Sequence, residues 1–109
     1  MKKRNYAILT CIVLLGLMVL TAPAQAEPFA YITHLSSNNV LVIDTATNTV
    51  TATVPVGNVQ NAVAVNPAGT RVYVTNINDS TVSVIDTASN AVITTVALPS
   101  LSSPFGVAV

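Results

Sequence analysis

The chain has 109 residues, four basic and four acidic, for a formal net charge of zero, with 51% of it hydrophobic and 7% charged. That length supports one small domain and excludes most multi-domain enzymes. The hydrophobicity argues against intrinsic disorder, and the few Lys and Arg residues argue against a basic face for nucleic acid.

The first predicted element is a secretory signal peptide over residues 1–26. Lys2, Lys3 and Arg4 make a basic start, and an apolar run follows from Ala7 to Leu20, broken by Thr10 and Gly16. Ala24-Gln25-Ala26 then places small residues where a signal peptidase needs them. Pro23 breaks the helix just ahead of this site, and the predicted cut falls between Ala26 and Glu27. The apolar run is shorter than the roughly 20 residues that span a bilayer, which argues against an uncleaved anchor. Cys11 lies inside the run, with too little apolar sequence before it to suit a lipidated cysteine.

Cleavage leaves 83 residues whose charges are Glu27, Asp44, Asp79, Asp86 and Arg71, a net of −3, with no Lys and no Cys. The expected location is secreted, periplasmic or on the cell surface. Without cysteine there is no disulfide, thiol nucleophile or thiolate metal site. One Arg gives little with which to neutralise phosphate, so neither nucleic acid nor, after cleavage, a membrane is an expected partner.

Predicted strands follow at Ala30–Thr33, Val40–Asp44, Thr49–Val54, Ala62–Val65, Arg71–Thr75, Thr81–Asp86, Ala91–Val96 and Gly106–Val109. Val, Ile and Thr dominate these runs, as pleated strands favour. Between them lie turn-forming segments such as Ser36-Ser37-Asn38-Asn39 and Asn66-Pro67-Ala68-Gly69, where Pro presets φ and Gly or Asn accepts positive φ. No helical period is present after residue 26, so the fold class is all-β.

The strands recur. Residues 31–54 align with residues 73–96 at an offset of 42 without a gap, and 12 of 24 positions are identical, among them Tyr31/Tyr73, Thr33/Thr75, Asp44/Asp86 and Asn48/Asn90. After a shift of two, Val63-Ala64-Val65 matches Val107-Ala108-Val109. Four strands in about 42 residues is the size of a β-propeller blade.

Tyr73-Val74-Thr75-Asn76 followed by Thr81-Val82-Ser83-Val84-Ile85-Asp86-Thr87 resembles the YVTN β-propeller repeat of secreted and surface-layer-type proteins. The stretch from Val63 to Val74, with Asn66-Pro67-Ala68-Gly69 inside it, fits the same pattern. Ile32 and His34 depart from the motif in the first copy. The resemblance implies a partial blade in residues 27–61 (strands b, c and d, counting a to d from inner to outer edge). It implies a complete blade and linker in residues 62–105, and the first strand of a third blade in residues 106–109. A closed propeller has about four to eight blades. Roughly two blades read as a fragment of a longer secreted propeller, or else as a short unit that forms a ring with other copies. Two blades alone leave apolar faces and strand edges open, so self-association is expected.

Asp44 and Asp86 recur at a strand end before a turn, where a carboxylate accepts backbone N–H bonds; structural turn residues are expected, not metal ligands. His34 is expected as an exposed turn histidine, since a general base needs an oriented partner. Arg71 reads as a solvated strand-end residue, and Tyr31 and Tyr73 as packing between blades. Asn78-Asp79-Ser80 matches the N-glycosylation pattern on an exposed turn. No catalytic, cofactor-binding or metal-ligating set is expected.

The expected function is a secreted repeat module that binds a protein, glycan or envelope ligand, or has a surface-structural role, without catalysis of its own. The alternative is part of a periplasmic propeller enzyme of quinoprotein or nitrite-reductase-like type. No C-x-x-C-H haem attachment motif accompanies that alternative.

Overall fold

Alternation of Val and Ile with polar residues, punctuated by Asn- and Ser-containing turns, gives seven strands in the computed structural model, which describes residues 28–109. The predicted signal peptide, with Ala24, Ala26 and Glu27, lies outside the described residues. The strands are β1 (Phe29–His34), β2 (Asn39–Asp44), β3 (Thr49–Pro55), β4 (Gln60–Val65), β5 (Arg71–Asn76), β6 (Thr81–Asp86) and β7 (Ala91–Ala97). They form two antiparallel meanders, one of three strands in the order β1-β2-β3 and one of four in the order β4-β5-β6-β7. The described residues contain no helix.

Each of the four hairpins within β1–β3 and β5–β7 turns on four residues and ends that turn at positive φ. These residues are Asn38 (56°), Asn48 (55°), Ser80 (51°) and Asn90 (53°). Asn tolerates this left-handed region, so three of the four turns are written in residue type. The β4–β5 turn is closed by Asn66, whose Oδ1 accepts the Thr70 and Arg71 N–H groups at 2.8 and 2.9 Å, with Gly69 at φ 71°.

Side chains alternate between the two faces of a strand, and one face of each sheet packs against the other sheet. The first sheet contributes Val40, Val42 and Val54; the second contributes Val72, Val74 and Ile85, all fully or almost fully buried. Burying each such side chain stabilises the fold by about 2 kcal/mol. The two sheets do not use equivalent residues. The counterparts of Val40, Val42 and Val54, which are Val82, Val84 and Val96, lie on the face of the second sheet turned away from this junction. The stacking is therefore head-to-tail.

Two expectations need correction. β4 starts at Gln60, two residues before its predicted start, because Gln60 pairs with Asn76 across a bulge that precedes Val63. Residues 102–109 include no strand, against the prediction for Gly106–Val109. In the second sheet the first strand, β4, has the strand that follows it as its one ladder neighbour. Residues 106–109 pair with no strand among the described residues.

Candidate functional site

At one end of the stacked sheets three connections meet: the β1–β2 turn (residues 35–38), the β3–β4 connector (56–59) and the β5–β6 turn (77–80). Asn38, at positive φ, directs its side chain across the junction. Its Oδ1 accepts the Val59 N–H at 3.0 Å, and its Nδ2 donates to Asn58 Oδ1 at 3.2 Å. Asn58 in turn donates its backbone N–H to Asp79 Oδ2 at 2.8 Å and its Nδ2 to Asp79 Oδ1 at 3.0 Å. Asn38, Asn58 and Asp79 thus form a polar ladder from the first sheet to the second. The Asn58 backbone N–H, followed by its side-chain amide, holds the Asp79 carboxyl below the ordinary carboxylate range.

Beneath this ladder lies Gln60, fully buried, whose Nε2 donates to the carbonyls of His34 (2.8 Å) and Asn39 (2.6 Å). This side chain clamps the first hairpin to the second sheet. Asn76, also fully buried, donates through Nδ2 to Thr81 Oγ1 and Ser83 Oγ and ties together the β5–β6 hairpin. Gly57 lies directly on these groups. A Cβ there would stand 2.6 Å from Asn76 Cγ and 2.7 Å from Asp79 Oδ2.

Beside the ladder a groove of about 410 Å³ opens between the β3–β4 connector and β6–β7, lined in part by Gly57, Asp79, Thr81, Ser83 and Thr95. It offers one carboxylate and several hydroxyls, a set suited to hydrogen-bonding a polar ligand. A second groove, of about 480 Å³, lies at the opposite end, between Phe29, Gly69, Thr70, Thr87 and Asn90.

The residues singled out from sequence fall in several places. Asp44 Oδ1 accepts the Ala46 N–H at 2.8 Å, and Asp86 Oδ2 accepts the Ser89 N–H at 3.1 Å and its hydroxyl at 3.0 Å. These Ser89 bonds, the hydroxyl first, lower the Asp86 pKa, and Arg71 assists. Arg71 is not merely solvated. Its guanidinium pairs with Asp86 Oδ1 at 2.5 Å and also donates to the Thr70 carbonyl. The two residues are opposite one another in the β5–β6 register. Phe29 holds the matching place in the first sheet, opposite Asp44.

His34 is the last residue of β1 and not part of the turn; it is exposed, with Nδ1 2.7 Å from Ser37 Oγ. Ser37 also donates its N–H and its hydroxyl to the His34 carbonyl, a local turn closure by a hydroxyl residue. Tyr31 packs against the inter-sheet core, whereas Tyr73 points to the other face of the second sheet. Asn78 is exposed in its turn. The described residues contain no group of three or more His, Cys, Asp or Glu able to hold a metal.

The sequence reading missed Gln60, Asn58, Asn38 and Gly57. The one available signal was a Gln standing at the head of an otherwise apolar strand run.

No family model matches the chain, and no curated protein matches it. Among solved structures, a hydrazine synthase from Kuenenia stuttgartiensis is similar over 72% of this chain, with a TM-score of 0.69 and 30% identity. The chain spans about a fifth of that structure, 22% of its length.

Proposed function

We propose that the two sheets are β-propeller blades of YVTN type and that the chain is a secreted or surface-located, non-catalytic binding module. Its ligand-contacting surface would be the turn end bearing Asn38, Asn58 and Asp79. The observation that carries this reading is the ladder itself. Three separate connections join in one polar ladder that ends on a carboxylate, and they place amide, hydroxyl and carboxylate groups beside an open groove. Connections held by a rigid scaffold are where proteins concentrate binding residues, and this surface suits a polar protein or glycan ligand.

Retention of cell-envelope fractions on the immobilised chain, weakened by Thr95→Arg in the groove, supports this reading. Retention equal for both proteins, or absent for both, contradicts it.

A second reading has one specific observation in its favour, the similarity to a named synthase. In it the chain is part of a larger propeller enzyme, and any cofactor chemistry belongs to the whole protein. A cofactor absorbance band in material purified from the native source favours this reading, and a spectrum of protein alone counts against it.

A further inference from the structure

The inter-sheet junction has two halves, and each recurs elsewhere in the chain on a face that is only partly covered: Val84, the counterpart of Val42, is buried, but other counterparts are half-exposed. On the first sheet, Val54 is 1% exposed at the junction, whereas its repeat counterpart on the outer face of the second sheet, Val96, is 47% exposed. On the second sheet, Val74 is fully buried, whereas its counterpart on the outer face of the first sheet, Ile32, is 45% exposed. The outer face of the second sheet therefore carries the residue types the first sheet uses to pack. The outer face of the first carries those the second uses. Neither face includes a like-charge pair to oppose their meeting.

The segment after β7 extends the same pattern. Thr33 Oγ1 donates to the Asn61 carbonyl at 3.3 Å where one sheet leads into the next. Thr75 Oγ1 donates to the Phe105 carbonyl at 3.4 Å in the corresponding place. The Val56 N–H bonds the Asn38 carbonyl, and the Leu98 N–H bonds the Ser80 carbonyl. Residues 104–109 are thus held where β4 stands relative to the preceding sheet, and they pair with no strand among the described residues. Among the described residues β1 has β2 as its ladder neighbour, while its counterpart β5 has β4 on its other side as well.

We propose that a second copy of this chain occupies these surfaces, packing the first sheet of one copy on the outer face of the second sheet of another. Residues 106–109 of the copy that offers its second sheet then lie beside β1 of the copy that offers its first, with Val107 opposite Ile32 as Val63 is opposite Val74. The contact continues the internal interface in register. It joins different patches on the two copies, so the assembly is head-to-tail. The proposal takes only the repeat packing from the preceding section; ligand binding at the turn end can fail without affecting it.

Ile32→Asp and Val96→Asp each spoil one half of the contact at a half-exposed position. Multi-angle light scattering of the exported full chain is expected to give a multiple of the single-chain mass. Each variant alone should give a single chain, and an equimolar mixture should give a two-chain species, because one intact face of each kind remains. A single-chain wild type, variants that assemble as the wild type does, or a mixture that stays single-chain overturns the proposal. Circular dichroism verifies folding. Should either variant lose its β signal, Val50→Lys and Thr94→Lys on the same two faces are read by the same criteria.

Discussion

The Thr75 hydroxyl donates to the carbonyl of Phe105, 30 residues further along, as the Thr33 hydroxyl donates to the carbonyl of Asn61. Thr75 is the third residue of the Tyr-Val-Thr-Asn motif, and it has a second task. Its oxygen accepts the Ala62 N–H at 3.1 Å inside the β4 bulge, where no ladder partner exists. A hydroxyl at this place both satisfies a backbone donor and fixes how one sheet hands over to the next. Val74 beside it fills the core, and Asn76 locks the hairpin.

Gly57→Ala introduces a Cβ into the space held by Asn76 and Asp79. Asn76 is fully buried and bonded to two hydroxyls, so it has little room to retreat. The variant is expected to lose about 2 kcal/mol, in the range of overpacked interiors, as read from urea unfolding at neutral pH.

Gln60→Leu keeps approximate volume but removes the donor to the His34 and Asn39 carbonyls. Leaving buried acceptors unpaired costs about 1–3 kcal/mol, and the loss falls on the clamp between the sheets. Hydrogen exchange should quicken first at the β1–β2 hairpin. A variant as stable as the wild type would mean that these carbonyls find other donors.

Val59 sits at φ 54°, a region that disfavours β-branched side chains. Its N–H and carbonyl are both engaged, by Asn38 Oδ1 and the Ile77 N–H, which holds the backbone there. Val59→Asn keeps those backbone bonds and relieves about 1 kcal/mol of conformational strain. A raised melting temperature is the expected outcome.

Asp79 and Asp86 both have carboxyl groups held below the ordinary value of 3.8. A lowered folded-state pKa means that the unfolded chain binds protons first as pH falls. Their contribution to stability is therefore whole above the unfolded value and lost as pH falls from there through the folded values. Melting temperature should fall in this acid range, and Asp79→Asn should flatten the decline. An equally steep acid limb in the variant would contradict the role given to Asn58.

The strands were legible because Val, Ile and Thr runs alternate with turn residues, and because the repeat states the pattern twice. Asn38 and Gly69, inside turn segments read from residue type, take the positive φ that such residues accept. The ladder of Asn38, Asn58 and Asp79 was not legible, since its members lie about 20 residues apart and meet only after the sheets stack. The pairing of Arg71 with Asp86 depends on hairpin register, which places them opposite one another. Nor did residue types distinguish a paired from an unpaired strand in residues 106–109, because pairing depends on a neighbour and not on β propensity.

The two sheets stack head-to-tail, with Val40, Val42 and Val54 packed on Val72, Val74 and Ile85. Methyl–methyl nuclear Overhauser contacts in the selectively labelled chain test this stacking most directly. Cross-peaks between the Val54 or Val40 methyls and those of Val74 or Ile85 are the expected result. Cross-peaks within each sheet, such as Val40 to Val54, with none between the two sets would contradict it.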